Sequence, residues 1–171
     1  MQATDIRIDP AVPADAPLIL SLIRELAEYE QLAEQVVATE ADLRSCLFGR
    51  NPAASAVVAR IADQAVGFAL YFRTFSTFLG QPGLYLEDLY VRPGFRGRSV
   101  GKRLLSHLAA HALAQGCARF EWAVLDWNAP ARRFYESLGA QANSSWIPYR
   151  VTGEALQRLA EAEFTPPPRA Y

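Results

Sequence analysis

The stretch Leu86-Glu-Asp-Leu-Tyr-Val-Arg-Pro-Gly-Phe-Arg-Gly-Arg-Ser-Val-Gly101 decides how the rest of the chain is organised. It opens with the apolar and aromatic residues of a strand, which Pro93-Gly94 ends with a turn. Gly97 and Gly101 follow among basic residues, and an amphipathic helix begins at once. Because the first N–H groups of a helix lack helical partners and the macrodipole adds positive potential, this strand–turn–helix predicts an anion site suited to a pyrophosphate.

Two common phosphate-binding patterns do not fit this turn. A P-loop needs its glycines one residue further apart than Gly97 and Gly101, and Arg103 stands where the Mg²⁺-binding hydroxyl belongs. The dinucleotide pattern G-x-G-x-x-G does not fit either. For these residues alone, a basic turn that only caps a surface helix stays an alternative.

The turn resembles motif A of the GNAT superfamily of N-acetyltransferases, [QR]-x-x-G-x-[GA], which binds the pyrophosphate of acetyl-CoA. Arg96-Gly-Arg-Ser-Val-Gly101 matches this motif except at Ser99, where the first motif glycine usually stands. A serine still offers its N–H, but its side chain narrows the approach of a phosphate. The resemblance therefore implies acetyl-CoA as cosubstrate, bound at this turn.

Length and composition favour one globular domain. The chain has 171 residues, of which 51% are hydrophobic, and its formal net charge is −1, so nothing draws the whole protein to nucleic acid or to an anionic membrane. We expect no signal peptide and no membrane span, since no apolar run approaches about 20 residues. Cys46 and Cys117 form no disulfide framework, which favours the cytoplasm. We expect the domain at 1–164 and a disordered tail at 165–171.

Hydrophobic periodicity and capping residues predict a mixed α/β chain. Strands are predicted at 6–8, 56–61, 66–75, 84–91, 119–125 and 145–151, and helices at 16–29, 39–47, 100–115, 128–139 and 154–162. The strand at 119–125 is expected to be buried on both faces. Antiparallel strands followed by a β–α–β–α–β run indicate one mixed, mostly antiparallel sheet flanked by helices.

The resemblance extends over about residues 6–160 and is closest to the diamine (spermidine/spermine) acetyltransferases, especially their thialysine Nε-acetyltransferase branch. The matching pieces lie at 22–30, 84–88, 96–101, 123–128 and 134–135. This resemblance implies a single GNAT domain, direct transfer of an acetyl group to a small amine, and a homodimer.

It also implies a role for particular residues. Backbone next to the pantetheine and thioester would come from Leu89, Tyr90 and Val91. The pyrophosphate would be held by Arg96, Gly97, Arg98, Ser99, Val100, Gly101 and Lys102, and the CoA arm would contact Asn128 and Ala131. The amine site would be lined by Tyr29, Glu30, Glu87 and Trp146, and Tyr135 would be the general acid.

The chemistry of amine acetylation agrees with these roles. An amine with a pKa near ~10 must lose a proton before it attacks, and Glu87, acting through water, is the candidate base. The N–H of Leu89 could stabilise the oxyanion, and the phenol of Tyr135 could protonate the departing thiolate. By residue type alone, a core aromatic beside Phe134 is the favoured interpretation of Tyr135, and Glu87 could equally be a solvent-facing carboxylate. Asp88, expected on the opposite face, is interpreted as structural.

Other chemistries are less well supported. Neither cysteine has the histidine and aspartate that a covalent mechanism needs. His107 and His111 lie one helical turn apart but lack a third ligand, so no metal is expected.

Departures from the polyamine branch point to a smaller acceptor. Ser76 stands where those enzymes carry an acidic residue, Phe78 stands where they carry tryptophan, and the segment before Trp146 lacks an acidic pair. We therefore expect a lysine-like amino acid or a short diamine. The alternatives are a protein or peptide N-acetyltransferase and a non-catalytic acetyl-CoA-binding module.

Overall fold

A computed structural model describes residues 5–162, and five strands among them form one mixed sheet. The strands are β1 (Ile6–Pro10), β2 (Ser55–Ile61), β3 (Gln64–Ser76), β4 (Gln81–Val91) and β5 (Arg119–Trp122). They lie in the order β1-β2-β3-β4-β5, and every neighbouring pair is antiparallel except β4 and β5, which are parallel. The predicted α/β class and mostly antiparallel sheet are confirmed.

Five helices complete the described part of the chain. They are α1 (Ala16–Tyr29), α2 (Glu40–Phe48), α3 (Val100–Ala114), α4 (Ala129–Ser137) and α5 (Gly153–Glu161). The predicted capping box of α2 is present, because the Thr39 hydroxyl accepts from the N–H of Asp42, whose carboxylate accepts from the N–H of Thr39. Asp15, predicted to cap α1, instead accepts hydrogen bonds from the N–H of Val12 and from Arg60.

Helices cover both faces of the central part of the sheet. On one face, α1 and α2 pack against β2, β3 and β4 around Val58, Phe68 and Tyr90. On the other, α3 packs against β1, β3 and β4 through its buried residues, Val100, Leu104, Leu105, Leu108 and Ala112. Burial at about 25 cal/mol per Å² makes these two layers the main source of stability.

All five strands differ from their predicted bounds, and the differences at β4 and β5 are the most informative. β4 begins at Gln81, so the predicted loop before it shrinks to residues 77–80, which close a tight turn in which the Ser76 hydroxyl accepts from the N–H of Leu79. β5 ends at Trp122 and is half-buried instead of buried on both faces. The chain leaves the sheet there because the carbonyl of Leu125 accepts from the N–H of Asn128 and turns the chain toward α4.

The strand predicted at 145–151 is wrong. This segment has neither helix nor strand, and Ile147 and Tyr149 are 73% and 93% exposed. Pro148 lies between these apolar residues and removes a backbone donor from the centre of the proposed strand.

The chain divides into two compact units after Ala123. The first contains the whole sheet with α1, α2 and α3, and the second contains α4 and α5. Cys46 is exposed and Cys117 is buried, and both are free thiols. Within residues 5–162, every helix is too short or too polar to cross a membrane. The end of the predicted domain and the predicted tail at 165–171 fall outside the described residues.

Candidate active site

The predicted anion site lies at the N-terminus of α3. A single 3₁₀ turn, Pro93–Phe95, follows β4, and an exposed segment leads from it into the helix. Gly97 has φ +73°, and a Cβ added there would meet no described atom within 4 Å. The turn is therefore open around Gly97, and the first N–H groups of the helix that follows lack helical partners, as an anion site requires.

Ser99, where the family motif usually has glycine, adopts a left-handed conformation with φ 66° and ψ 10°. This conformation costs a residue with a Cβ about 1–2 kcal/mol, which glycine avoids. The shape of the turn is thus the same one that glycine favours, and the serine keeps it at a cost in stability.

The basic residues around the turn do not all point outward. Arg103 donates to the carbonyl of Ile6 at 3.2 Å and so fastens α3 to β1. Arg96 donates from Nε to the carbonyl of Val91 at 2.9 Å. Arg98 and Lys102 are also exposed, which makes them candidates to meet a bound anion.

The end of β4 depends on a close approach by β3. Gly67 lies opposite Val91, and a Cβ on Gly67 would lie 2.5 Å from the carbonyl oxygen of Tyr90. The Tyr90 side chain is buried in the core beneath α1. Only the backbone of Tyr90 is therefore available to a ligand here.

A β-bulge interrupts the ladder between β3 and β4. Leu70 lies opposite Asp88, but the next residue, Tyr71, lies opposite Leu86, so Glu87 has no residue across from it. Paired residues share a face and neighbours along a strand alternate. Leu86 shares the face of Tyr71, so its neighbour Glu87 lies on the other face, which is that of Leu70. Asp88 is paired with Leu70, so Glu87 and Asp88 lie on the same face.

This geometry corrects the expectation that Asp88 lies on the opposite face from Glu87. Its pKa is raised from 3.8 to about 6, first by burial and then by the nearby charges of Glu87 and Glu30. Burial also raises the pKa of Glu30. The carboxyl groups of Glu30 and Glu87 thus lie near enough to Asp88 for their charges to raise its pKa, and three such groups together favour a cation.

The sequence contains a signal for this bulge. Apolar residues of β4 fall at 84 and 86 and then at 89 and 91. The spacing of three residues between Leu86 and Leu89 breaks the two-residue period of a strand, as an inserted residue does.

Tyr29 is the last residue of α1, and Glu30, one of the three carboxyl groups, follows it directly. Gln31 follows with φ 61°, and the N–H of Leu32 donates to the carbonyl of Ala27 at 2.8 Å. This closure fixes the last turn of the helix. The guanidinium of Arg96 lies 4.5 Å from the centre of the Tyr29 ring.

The remaining predicted site residues belong to the second unit. The Asn128 side chain accepts from the N–H of Ala131 at 3.3 Å, which confirms it as the cap of α4. Tyr135 is half-buried, with its ring 5.4 Å from that of Phe134. Trp146 is 71% exposed.

Between residues 5 and 162, no group of three or more His, Cys, Asp or Glu side chains is arranged to hold a metal ion.

Comparison with known proteins agrees with this geometry. A model of the acetyltransferase (GNAT) family matches residues 19–140. Thialysine N-epsilon-acetyltransferase of Mus musculus is 41% identical over 165 residues, covering 90% of this chain and 96% of the mouse protein. L-ornithine N5-acetyltransferase of Arabidopsis thaliana is 32% identical and covers 90% of this chain and 87% of its own length.

Among solved structures, an integron cassette protein of Vibrio cholerae superposes with a TM-score of 0.77. It is 28% identical and covers 92% of this chain and 98% of its own. The family match and the strand–turn–helix site agree with each other, and the chain belongs to the acetyltransferase (GNAT) family, as an acetyl-CoA-dependent N-acetyltransferase.

Proposed function

We propose that this enzyme acetylates a primary amine on a lysine-like amino acid or a short diamine. The observation that carries the proposal is the group of carboxyls formed by Glu30, Glu87 and Asp88, in which burial, and then the charges of Glu87 and Glu30, raise the pKa of Asp88. Such a group favours a protonated amine as its ligand. Relatives named for thialysine and L-ornithine, amino acids that carry a side-chain amine, support the same class of acceptor.

The donor, acetyl-CoA, is assigned to the end of β4 and the turn after it. In this proposal the backbone of Leu89, Tyr90 and Val91 meets the pantetheine and thioester. The pyrophosphate is held by the turn from Gly97 to Lys102. Its support is the open backbone at Gly97 and the exposed cations Arg98 and Lys102. Asn128 and Ala131 are proposed to contact the CoA arm.

The proton transfers are assigned to two side chains. Glu87 is proposed to accept the proton of the ammonium group through water, and its exposure in the bulge supports contact with solvent. The N–H of Leu89 would stabilise the negative charge that develops on the thioester oxygen. Tyr135 is proposed to give its phenolic proton to the departing thiolate, a role supported by the resemblance to the diamine acetyltransferases.

The number of carboxylates favours a small acceptor over a long polyamine. Ser76 is buried, and its hydroxyl is used within the turn before β4, so it offers no charge to a substrate. Phe78 in the same turn is 92% exposed. Tyr29 and Trp146 are proposed to line the amine site with Glu30 and Glu87.

We also propose that the protein is a homodimer in the cytoplasm and that residues 1–164 form one acetyltransferase domain. The family model supports one domain because it spans residues 19–140 and so includes parts of both compact units. The free thiols of Cys46 and Cys117 support a reducing compartment. Light scattering at several concentrations would measure the oligomeric state.

A panel of amines tests the acceptor. The enzyme is mixed with acetyl-CoA and lysine, thialysine, ornithine, a short diamine, spermine or a lysine-containing peptide, and release of free thiol is followed. We expect a higher kcat/KM for the amino acids and the short diamine than for spermine or the peptide. A preference for spermine would contradict the argument from carboxylate number, and a preference for the peptide would favour protein acetylation.

A further inference from the structure

Arg96 is the first residue of the motif, yet its side chain turns away from the pyrophosphate turn. Its backbone is extended, with φ −66° and ψ 156°, and its Nε donates to the carbonyl of Val91. The guanidinium therefore folds back across the end of β4.

The guanidinium of Arg96 lies near two aromatic rings. Its central carbon lies 4.5 Å from the ring centre of Tyr29 and 5.8 Å from that of Tyr90. A cation within about 6 Å of a ring centre is attracted by the negative face of the ring. Tyr29 ends α1, whereas Tyr90 is anchored in the core, so Arg96 joins the end of the helix to the end of the strand.

We propose that Arg96 is a positioning residue for the amine acceptor and not a ligand of the pyrophosphate. The backbone closure at Leu32 sets the shape of the last turn of α1, and Arg96, by holding the Tyr29 ring against the end of β4, sets where that turn and the adjacent Glu30 lie relative to the strand. This inference rests on the proposed function, because it assigns Tyr29 and Glu30 to the acceptor. One side chain would then connect the acceptor site with the turn that begins at Gly97.

Charge alone predicts the opposite result from positioning. Arg96 is a cation near a site for a cation, so removing its charge should strengthen amine binding if repulsion were its only effect. If Arg96 positions Tyr29 and Glu30, its removal should weaken amine binding. The direction of the change in KM for the amine therefore separates the two explanations.

The central experiment compares Arg96→Met with Arg98→Met. Both substitutions remove one positive charge from the same turn, but only Arg96 contacts Tyr29, while Arg98 lies 5.5 Å over the ring of Phe95. We expect Arg96→Met to raise the amine KM by about two- to fivefold, the size of an exposed cation–π contact, and to change the Kd for acetyl-CoA by less than about twofold. Arg98→Met, which removes a proposed pyrophosphate cation, should instead raise the Kd for acetyl-CoA, so the amine KM of both variants is measured at saturating acetyl-CoA.

A double-mutant cycle tests the contact itself. Tyr29→Leu removes the ring, whereas Tyr29→Phe retains it and should keep the coupling. When Arg96→Met is added to Tyr29→Leu, the amine KM should rise little further. The free energy of unfolding, measured without substrates, should likewise fall little further. Arg96→Lys should rescue little, because a compact ammonium cannot both donate to Val91 and lie flat on the ring.

Three results would overturn the inference: a larger loss of acetyl-CoA affinity in Arg96→Met than in Arg98→Met, a lower amine KM in Arg96→Met, or additive energies in the cycle.

A failure of the proposed function has a different signature. If the unaltered enzyme transfers acetyl to none of the amines, the assignment of the acceptor is wrong and the role of Arg96 in binding it is withdrawn. Additive unfolding energies in an enzyme that is active on these amines would overturn the role of Arg96 alone.

Discussion

The carboxylate of Glu25 on α1 accepts three hydrogen bonds from the guanidinium of Arg92, the residue that follows β4. Nη2 lies 2.6 Å from Oε1, and Nε lies 2.9 Å and 3.2 Å from the two oxygens. Arg92 also donates to the carbonyl of Ala65 at 2.9 Å. This pair therefore fastens the middle of α1 to the strands at the point where the chain enters the pyrophosphate turn.

We expect Glu25→Gln to lower the free energy of unfolding by about 1 kcal/mol at neutral pH, since both side chains are only partly exposed. The pKa of Glu25 is lowered, chiefly by its hydrogen bond with Arg92. A carboxyl with a lowered folded-state pKa stabilises the protein above its unfolded pKa, and this contribution is lost as the pH falls through the folded value. Urea unfolding of both proteins between pH 3 and 7 should therefore show the difference shrinking in acid.

The matched control for that experiment is Glu154→Gln. Glu154 pairs with Arg158 at 3.2 Å on an exposed helix surface, where such pairs contribute about 0.3–0.5 kcal/mol. An equal loss in both variants would show that the Glu25–Arg92 pair is no stronger than an ordinary surface pair.

Asp88 should act on stability in the opposite sense. Its folded pKa of about 6 lies above the ordinary 3.8, so the folded protein binds the proton more tightly than the unfolded chain does. The free energy of unfolding therefore falls as the pH rises from about 4 to 6, by at most about 3 kcal/mol. Asp88→Asn should remove this loss, so that the variant is the more stable protein at pH 8 and gains nothing below pH 4.

Asp126→Asn, at an exposed position, provides the control for charge removal in general. If Asp88→Asn and Asp126→Asn have the same pH dependence, the carboxyl of Asp88 is not perturbed by its neighbours. Asp88→Asn should also raise the KM for the amine, because it removes one of the three carboxyls that favour a cation.

Ser99→Gly should stabilise the enzyme. Relief of the left-handed strain outweighs the added flexibility of glycine in the unfolded chain, for a net gain of about 0.5–1 kcal/mol. The Kd for acetyl-CoA should fall, because the side chain beside the incoming phosphate is gone. Thermal unfolding without ligand and isothermal titration with CoA measure the two effects separately.

Gly97→Ala is the reverse substitution in the same turn. With φ +73° and no described atom within 4 Å of the added Cβ, its cost reports backbone strain and not a clash. If Gly97→Ala is as stable as the parent, or if Ser99→Gly is less stable than the parent, the turn has another conformation in solution.

Tyr135→Phe tests the proposed acid. The substitution keeps the ring next to Phe134, so folding and acetyl-CoA binding should survive. Loss of a general acid should lower kcat by about 10²–10⁴-fold. Near-normal turnover would mean that water protonates the thiolate.

Glu87→Gln is the companion variant, since it removes the proposed base. Its defect should diminish at high pH, where more of the amine is already neutral, whereas Tyr135→Phe should show no such relief. A pH–rate profile of the three proteins makes this comparison. A Glu87→Gln defect that is independent of pH would assign Glu87 to binding alone.

Local sequence rules predicted the features of the chain that depend on local interactions. The Thr39–Asp42 box, the Asn128 cap and the glycine-containing turn after β4 each involve residues close in sequence, so their patterns are visible there. The bulge at Glu87 depends on the register with β3, so unbroken alternation along β4 predicts the wrong face for Asp88. The strand expected at 145–151 had the right apolar spacing, but Pro148 and the need for a pairing strand outweighed it.

The roles of the site residues could be predicted only through the resemblance. Residue types alone allowed Tyr135 to be a core aromatic, and they gave no reason to expect Arg96 to stack on Tyr29, 67 positions earlier in the chain. A cation–π contact between distant residues has no sequence pattern, because either residue is common and only the fold brings them together.

The bulge has a consequence for how this enzyme could change over evolutionary time. Glu87 and Asp88 are followed directly by Leu89, Tyr90 and Val91, so the groups assigned to the amine and to the thioester are consecutive residues of one strand. Covalent geometry, at about 3.3 Å per residue, spaces these groups along the strand. Substitutions in the surrounding helices can therefore alter stability or the choice of amine while the alignment of the two reactants is inherited unchanged.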